Sequence, residues 1–338
     1  MPMVDRKHIN LLLDFAPLFE YQRQVVLGAT RYCHAHPDFR CRTASSESNM
    51  MEDSDVIDGV IAIIDRPDPH HPSTRHGRPV VNVSTIAFPV PFPTVAIDNL
   101  ALGRLAAEHL VVQGYRHFAY HMESRVYFSK QRGLGFGETL KDKGREVHFF
   151  DTGLHISAAP RELHALSMEW LRKLPKPLGL FTHNDQRAVV LMDLCRDAGL
   201  KVPEEVGIIG VDNDPLLAEL CRPMLTSVDP GATTVGFRAA EMIAQILSGH
   251  TPESQPILLP PKRSTCGNPR SRVIWWMTAS RQRCDTSKSI GRSRSMCRIF
   301  WKRCPHRDDR WSVCFKPTWA DHLPRRFAAC RLTILNGC

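Results

Sequence analysis

The sequence predicts an α/β protein of two similar lobes, each a parallel sheet flanked by helices. Three observations predict it. Short β-branched runs alternate with amphipathic helical stretches, the pattern of a parallel sheet covered by helices. That alternation runs through twice, once before and once after Gly114. Carboxylate–amide pairs also stand directly after three of the strands, where an open parallel sheet holds its ligand.

The elements follow in order. Ile9 to Asp14 reads as the first strand, and Glu20 to His36 as a helix with Val25, Val26, Ala29 and Tyr32 at helical spacing. Asp58 to Asp65, Arg78 to Val83 and Thr94 to Ile97 are further buried strands, the last ending just before Asp98. A helix from Leu100 to Gln113 closes the first set, stopped by Gly114. The pattern then restarts with strand Phe118–His121, helix Lys130–Lys143, strand Glu146–Phe150 and helix Leu163–Leu174. Strand Leu178–Phe181, helix Gln186–Ala198 and strand Val206–Val211 complete it. A helix from Thr234 to Leu247, after Thr226-Ser227-Val228, returns to the first lobe. The expected sensor spans 8–263, with one lobe from 8–114 and 230–250 and the other from 115–229 and 251–263.

Charge divides the chain differently. The 338 residues carry a formal net charge of +9, which points first to nucleic acid. From Ser264 to Cys338, however, 16 Lys and Arg face four Asp and no Glu, whereas the first 263 residues hold 28 basic and 31 acidic side chains. The body is slightly acidic and the basicity belongs to the tail. Seven of 11 Cys and five of six Trp lie in that tail too. In the body, Cys33, Cys41, Cys195 and Cys221 are scattered singly through apolar patterns and read as reduced thiols, which suits a reducing compartment. The apolar run at the start is broken at Asn10 and stopped at Asp14, too short for a signal-peptide core or a membrane span. A cytoplasmic protein without a membrane partner is expected.

Asp98-Asn99, His183-Asn184-Asp185 and Asp212-Asn213-Asp214 each follow a strand. Any one of them reads equally as a helix cap. As a set they suit a polyol, because carboxylates accept from hydroxyls and amides both donate and accept. Arg23, beside Tyr21 on the first helix, and Arg132, on the first helix expected in the second lobe, occupy corresponding places. Each is either a solvated surface cation or a fork for vicinal oxygens, at about 1.5–3 kcal/mol per charged hydrogen bond. Enzyme signatures are lacking: there is no Gly-x-Ser-x-Gly elbow and no phosphate loop. Gly133-Leu134-Gly135-Phe136-Gly137 has neither the spacing nor the preceding strand of a dinucleotide fingerprint. His183 beside Asp185 reads as a base or, more often for a lone strand-end histidine, as a structural residue. No cofactor and no metal are expected.

Arg132-Gly133-x-Gly135-Phe136, Asn184-Asp185-Gln186, Val202-Pro203, Gly210-Val211-Asp212-Asn213 and Leu225-Thr226-Ser227-Val228 resemble the ligand-binding core of the lactose/galactose-repressor family. The resemblance runs over residues 8 to 263. Tyr21-x-Arg23-Gln24-Val25-Val26-x-Gly28, Ala96-Ile97-Asp98-Asn99-x-Ala101-Leu102 and Leu259-Pro260-Pro261 narrow it to the branch that responds to xylose. It implies a type I periplasmic-binding-protein-like fold, a homodimer, and a cleft that closes on a small sugar, D-xylose, by hinge motion. It also implies sugar contacts at Arg132, Asp185 and Asp212, and extends them to Asn184, Asn213, Arg23, Tyr21 and Asp98.

Most regulators of this family open with a helix-turn-helix, and here the sensor begins at once. Xylose-responsive members instead carry an arabinose-activator-type DNA-binding domain after the sensor, where residues 264–338 sit. That tail shows no amphipathic period and no Cys-x-x-Cys. A frame test needs only the genetic code, taking the third base of each codon with the first two of the next. Trp275-Trp276-Met277-Thr278 then forces Val-Asp-Asp, Trp301-Lys302 forces Glu, Trp319-Ala320 forces Gly, and Phe315-Lys316 allows Gln or a stop. With suitable choices at degenerate bases, Trp301 to Leu323 resembles the first helix-turn-helix of the arabinose-activator family. The tail is therefore expected to be out of frame from a slip near Lys262 to Ser264, its operator-binding module lost. The alternatives are a real basic domain for zinc or nucleic acid, and a stand-alone cytosolic sugar-binding protein.

Overall fold

The computed structural model describes residues 8–44, 57–252, 255–262, 264–265, 300–303 and 311–314. In the first lobe β1 (Ile9–Asp14) leads into α1 (Glu20–Ala35), followed by β2 (Phe39–Thr43), β3 (Gly59–Ala62) and β4 (Val80–Asn82). These strands form a parallel sheet in the order β2-β1-β3-β4. A bridge from Asn82 to Thr94 brings β5 (Val95–Ile97) alongside β4. In β3 and β4 every residue is buried, as continuous apolar runs in a sheet covered on both faces should be.

The chain then builds α2 (Asn99–Val112), β6 (His117–Met122), α3 (Tyr127–Lys141), β7 (Val147–Asp151) and α4 (Pro160–Lys173). It continues through β8 (Leu178–Thr182), α5 (Asp185–Asp197), β9 (Val206–Val211), α6 (Pro215–Leu220) and β10 (Thr226–Val228). After α7 (Ala232–Leu247) come β11 (Ile257–Leu259) and β12 (Ser264–Thr265). The second sheet runs β12-β10-β9-β8-β6-β7, parallel except for the antiparallel β12. A stack of Tyr120 on Phe181, with centroids 4.8 Å apart, and the neighbouring Phe136 fill its core.

The lobe boundaries differ from those expected. Helix α2 packs on α3 and on β8, β9 and β10, so the second lobe begins at Asn99 and not at residue 115. Gly114 ends a helix without ending a lobe; an apolar stripe reports that a helix is covered, not which sheet covers it. Residues 251–263 do not all join the second lobe either. Ile257 pairs with Val95 and Leu259 with Ile97, adding β11 to the first-lobe strand β5. Only afterwards does β12 pair with β10, Ser264 opposite Val228. Helix α7 packs in the first lobe, against α1 and β3 to β5. The chain thus passes between lobes three times.

Each lobe contains one helix crossing closed by a reciprocal pair of glycines. A Cβ added at Gly28 would lie 2.0 Å from the Thr233 carbonyl oxygen, and one at Gly236 would lie 1.9 Å from that of Val25. In the other crossing, a Cβ at Gly103 would lie 2.1 Å from the Arg132 oxygen, and one at Gly135 would lie 2.1 Å from that of Leu100. Backbone meets backbone at both places, which holds α1 on α7 and α2 on α3.

Beyond Arg281 the chain forms a separate unit, in which β13 (Phe300–Arg303) and β14 (Trp311–Cys314) pair antiparallel. The expectation for 264–338 otherwise lies outside the described residues. Among the described residues no helix is long and apolar enough to cross a membrane.

Candidate functional site

A cavity of about 190 Å³ opens between the lobes at the C-terminal ends of their strands. From the first lobe Tyr21, Gln22, Ser84 and Thr85 reach its wall; the second lobe supplies Asn99, Phe128, Arg132, Asn184, Gln186 and Asp212.

Arg132 is the fixed cation of the site, only 5% exposed. It lies in the second turn of α3, the second helix of its lobe, where the expectation put it at the start of the first. Its Nε donates to Asn99 Oδ1 at 2.9 Å and its Nη1 to the His183 carbonyl, and the guanidinium sits 4.6 Å above the Phe128 ring. Burial lowers its pKa from the ordinary arginine value, while Asp212, Tyr120, Tyr21 and Asp185 favour the charged form. Arginine keeps its proton under any such shift.

Asp212 faces it from the end of β9. The backbone there is strained: Asp212 has φ 111° and Asn213 has φ 54°, a region that costs a non-glycine residue about 1–3 kcal/mol. Two bonds hold it, from the Asp212 amide to the Val228 carbonyl at 3.1 Å and from the Asn213 amide to Ser227 Oγ at 2.9 Å. The twist aims the Asp212 carboxylate into the cavity, where it makes no hydrogen bond to any described residue. Desolvation pushes its pKa up to about 7, against the pull of Arg132.

Four of the eight expected site residues line the wall: Tyr21, Arg132, Asn184 and Asp212. The Tyr21 hydroxyl donates to the Val83 carbonyl at 2.6 Å, and burial raises its pKa. Asn184 caps α5, its Oδ1 accepting from the Arg187 amide at 2.9 Å.

The other four are placed elsewhere. Asp185 is fully buried behind the wall, its Oδ2 accepting from the Asp214 amide at 2.9 Å and its Oδ1 from Ser227 Oγ at 2.7 Å. The two oxygens thus tie α5 to the loop after β9 and to β10, and desolvation, then Asp212, pushes its pKa up to about 8. Asn213 is held through its backbone to Ser227. Asp98 is the N-cap of α2, accepting from the Ala101 amide at 2.9 Å. Arg23 pairs with Glu20 at 2.9 Å and, across the cleft, with Asp214 at 2.8 Å. At Asp98-Asn99 and Asp212-Asn213-Asp214 one member serves as a cap and another reaches the ligand space, whereas Asn184 does both. Asn99, whose Nδ2 donates to Thr85 Oγ1 at 3.0 Å, takes the wall position expected of Asp98.

Asn99 belongs to a strand-end pair that residue type and spacing single out, with the contact expected of Asp98, whereas they do not single out Gln186; both stand inside the motifs that carried the resemblance. Ser84, Thr85 and Gln22 had no such signal; a loop after β4 and a first helical turn bring them in.

Two α/β lobes joined by three crossings, with a cavity between their strand ends that sets a few polar groups in a largely apolar wall, define a ligand sensor of the periplasmic-binding-protein-like class. The periplasmic binding protein-like domain model matches residues 107–266. The xylose operon regulatory protein of Haemophilus influenzae is 29% identical over 255 residues, covering 71% of this chain and 65% of that protein. That of Escherichia coli K12 is 30% identical over 281 residues, covering 77% of this chain and 69% of that protein. This chain belongs to the xylose operon regulatory protein family. It spans about two thirds of the length of these relatives, 65% and 69%. A solved structure described as the xylose-binding transcription activator XylR superposes with TM-score 0.65 at 25% identity, covering 84% of this chain and 77% of that one. The fold is shared with a LacI-type regulator from Alkaliphilus metalliredigens complexed with D-xylulofuranose, at TM-score 0.59 and 20% identity, covering 77% and 97%.

Proposed function

We propose that residues 8–263 are the cytoplasmic sensor of a homodimeric, sugar-responsive transcription regulator, with D-xylose as its ligand. One observation carries the reading. The Arg132 cation and the Asp212 carboxylate, the latter without a hydrogen bond to any described residue, face one small cavity that both lobes wall. A neutral sugar offers acceptor oxygens to the first and donor hydroxyls to the second. Because Tyr21, Ser84 and Thr85 come from the opposite lobe, contacts from both sides exist together only when the lobes are closed. Sugar then acts by population shift. Moving the balance from 1:99 to 99:1 requires it to favour the closed form about 10⁴-fold, roughly 5.5 kcal/mol. A few charged hydrogen bonds of about 1.5–3 kcal/mol each supply that.

The site is read as binding and not as catalytic. His183, the nearest candidate base, turns its Nδ1 to the His121 carbonyl at 3.4 Å, and burial holds its pKa down at about 4. Calorimetry of the full chain with D-xylose is the test; no heat at millimolar sugar would sink the reading.

The output half is proposed to be out of frame. In an intact relative the domain after the sensor would bind operator DNA, and here that reading rests on the residues forced by the shifted frame. The genomic sequence across codons 255–270 decides it. A chain restored by one nucleotide near codon 263 should footprint a defined operator, whereas the chain as written should show only salt-sensitive, sequence-independent DNA binding. A second reading, a stand-alone cytosolic sugar-binding protein, is favoured by a defined footprint from neither chain.

A further inference from the structure

Helix α3 carries Arg132 and begins without a side-chain cap of its own. Its N-cap residue, Val126, has the extended backbone of such a position (φ −105°, ψ 121°), but its side chain holds no acceptor. A helix leaves its first amides without partners inside the helix. In α3 the Ser129 and Lys130 amides turn back to the Val126 carbonyl, at 3.1 and 3.3 Å. The two amides before them are met from the opposite lobe. Tyr127 donates to the Ile86 carbonyl at 3.0 Å and Phe128 to the Thr85 carbonyl at 3.1 Å, both on the loop after β4. Phe88 of that loop lies against Tyr127, with ring centroids 5.3 Å apart.

Thr85 reaches the arginine by two routes. Its carbonyl holds the amide of Phe128, whose ring lies under the Arg132 guanidinium at 4.6 Å. Its hydroxyl accepts from Asn99 Nδ2 at 3.0 Å, while Asn99 Oδ1 accepts from Arg132 Nε at 2.9 Å. Arginine has only donors to offer, which fixes that orientation of the Asn99 amide. Parting the lobes takes Thr85 and Ile86 away from α3. Two first-turn amides are then left to water, and both groups that flank Arg132 lose their support.

We propose that Thr85 is a positioning residue for Arg132: its loop caps α3 from the other lobe, so the helix that carries the arginine is completed only on closure. This rests on the sugar-sensor reading above. Val126 makes the helix depend on that partner, since serine, threonine, aspartate or asparagine in its place would cap α3 from within.

The test uses the full chain, wild type and Val126→Thr, a change that keeps the branched shape and adds a capping oxygen at a position outside the cavity wall. In the wild type, D-xylose should slow hydrogen exchange at the Tyr127 and Phe128 amides, followed by mass spectrometry. A cap from within stabilises the open form, which lacks the cap from the other lobe, more than the closed one. Val126→Thr should therefore melt above the wild type without sugar, yet bind D-xylose roughly 2- to 30-fold more weakly by calorimetry. Damaged packing would lower stability and affinity together, and a lost sugar contact would not raise the melting temperature. A variant that melts higher and binds D-xylose as tightly as the wild type would overturn the proposal. Exchange at the two wild-type amides that bound D-xylose leaves unchanged would also overturn it, whatever the variant's stability. No heat from D-xylose on the wild-type chain would overturn the sensor reading, and this proposal with it.

Discussion

Arg23 in the first lobe and Asp214 in the second meet across the mouth of the cleft, Nη2 2.8 Å from Oδ2. Neither lines the cavity. Glu20 steadies the arginine from the preceding turn at 2.9 Å, and Asp214 is itself fixed as the cap of α6. The pair therefore joins the two lobes at the mouth of the cleft.

Arg23→Gln should weaken D-xylose binding without removing any contact to the sugar. The arginine is 43% exposed, so the pair is worth about 0.2–1 kcal/mol, which is up to about fivefold in affinity. Added salt should erase the difference between variant and wild type. A loss of a hundredfold or more in titration calorimetry would mean that Arg23 touches the ligand after all.

Asp212 should make binding pH-dependent. Burial raises its pKa to about 7, so near neutrality a sizeable fraction is protonated and has lost acceptor capacity. A hydroxyl donating to it favours the ionised form. Affinity should therefore rise with pH, by at most about tenfold per unit below the pKa, and level off above it. Asp212→Asn should flatten the profile between pH 6 and 8. Affinity that falls as pH rises over that range would contradict the assignment.

Much of the fold was legible because burial writes itself into sequence. The continuous apolar runs of β3, β6, β8 and β9 and the spaced glycines after helices marked elements close to their observed ends. β2, an edge strand with two of its five residues exposed, and the three-residue β11 carry too few apolar positions to show a period. The lobe boundary failed for a different reason. What assigns α2 to the second lobe is backbone contact at Gly103 and Gly135, and a glycine does not announce what it touches. The site was half legible: strand-end polar residues were found, but Asp98 and Asp185 turned inward to a helix N-terminus and a loop while Asn99 and Gln186 turned to the cavity. Spacing of one residue around a strand end decides that, and only the backbone geometry there resolves it.

Asp185 should tie stability to pH with a sign opposite to that of an ordinary paired carboxylate. Its pKa is raised in the folded chain to about 8, mainly by desolvation, against about 3.9 unfolded. Between those values the folded state holds a proton that the unfolded state releases, so stability is fully present at the acidic end and falls as pH rises. The slope is at most ~1.4 kcal/mol per pH unit for one group. Asp185→Asn can still accept from the Asp214 amide and turn its own amide to Ser227 Oγ, so it should fold and show a shallower decline. Urea midpoints followed by circular dichroism at pH 5, 6.5 and 8 would show this; a wild type that gains stability over that range would refute it.

The helix crossings give the sharpest contrast between neighbouring glycines. Alanine at Gly103 would put a Cβ 2.1 Å from the Arg132 carbonyl oxygen, backbone that cannot swing aside as a side chain does. The crossing must open, at a cost of about 1–3 kcal/mol or more. Because the strained contact is with Arg132 itself, sugar affinity should fall together with stability. Gly137 lies on the same helix as Arg132, yet a Cβ there meets only Phe149 Cζ at 3.7 Å, an ordinary contact. In a helix interior, alanine for glycine then gains about 0.5–1 kcal/mol. Gly103→Ala should lower the melting temperature and weaken D-xylose binding, while Gly137→Ala should raise the first and leave the second unchanged. Equal effects from the two substitutions would show that the α2–α3 approach does not position the arginine.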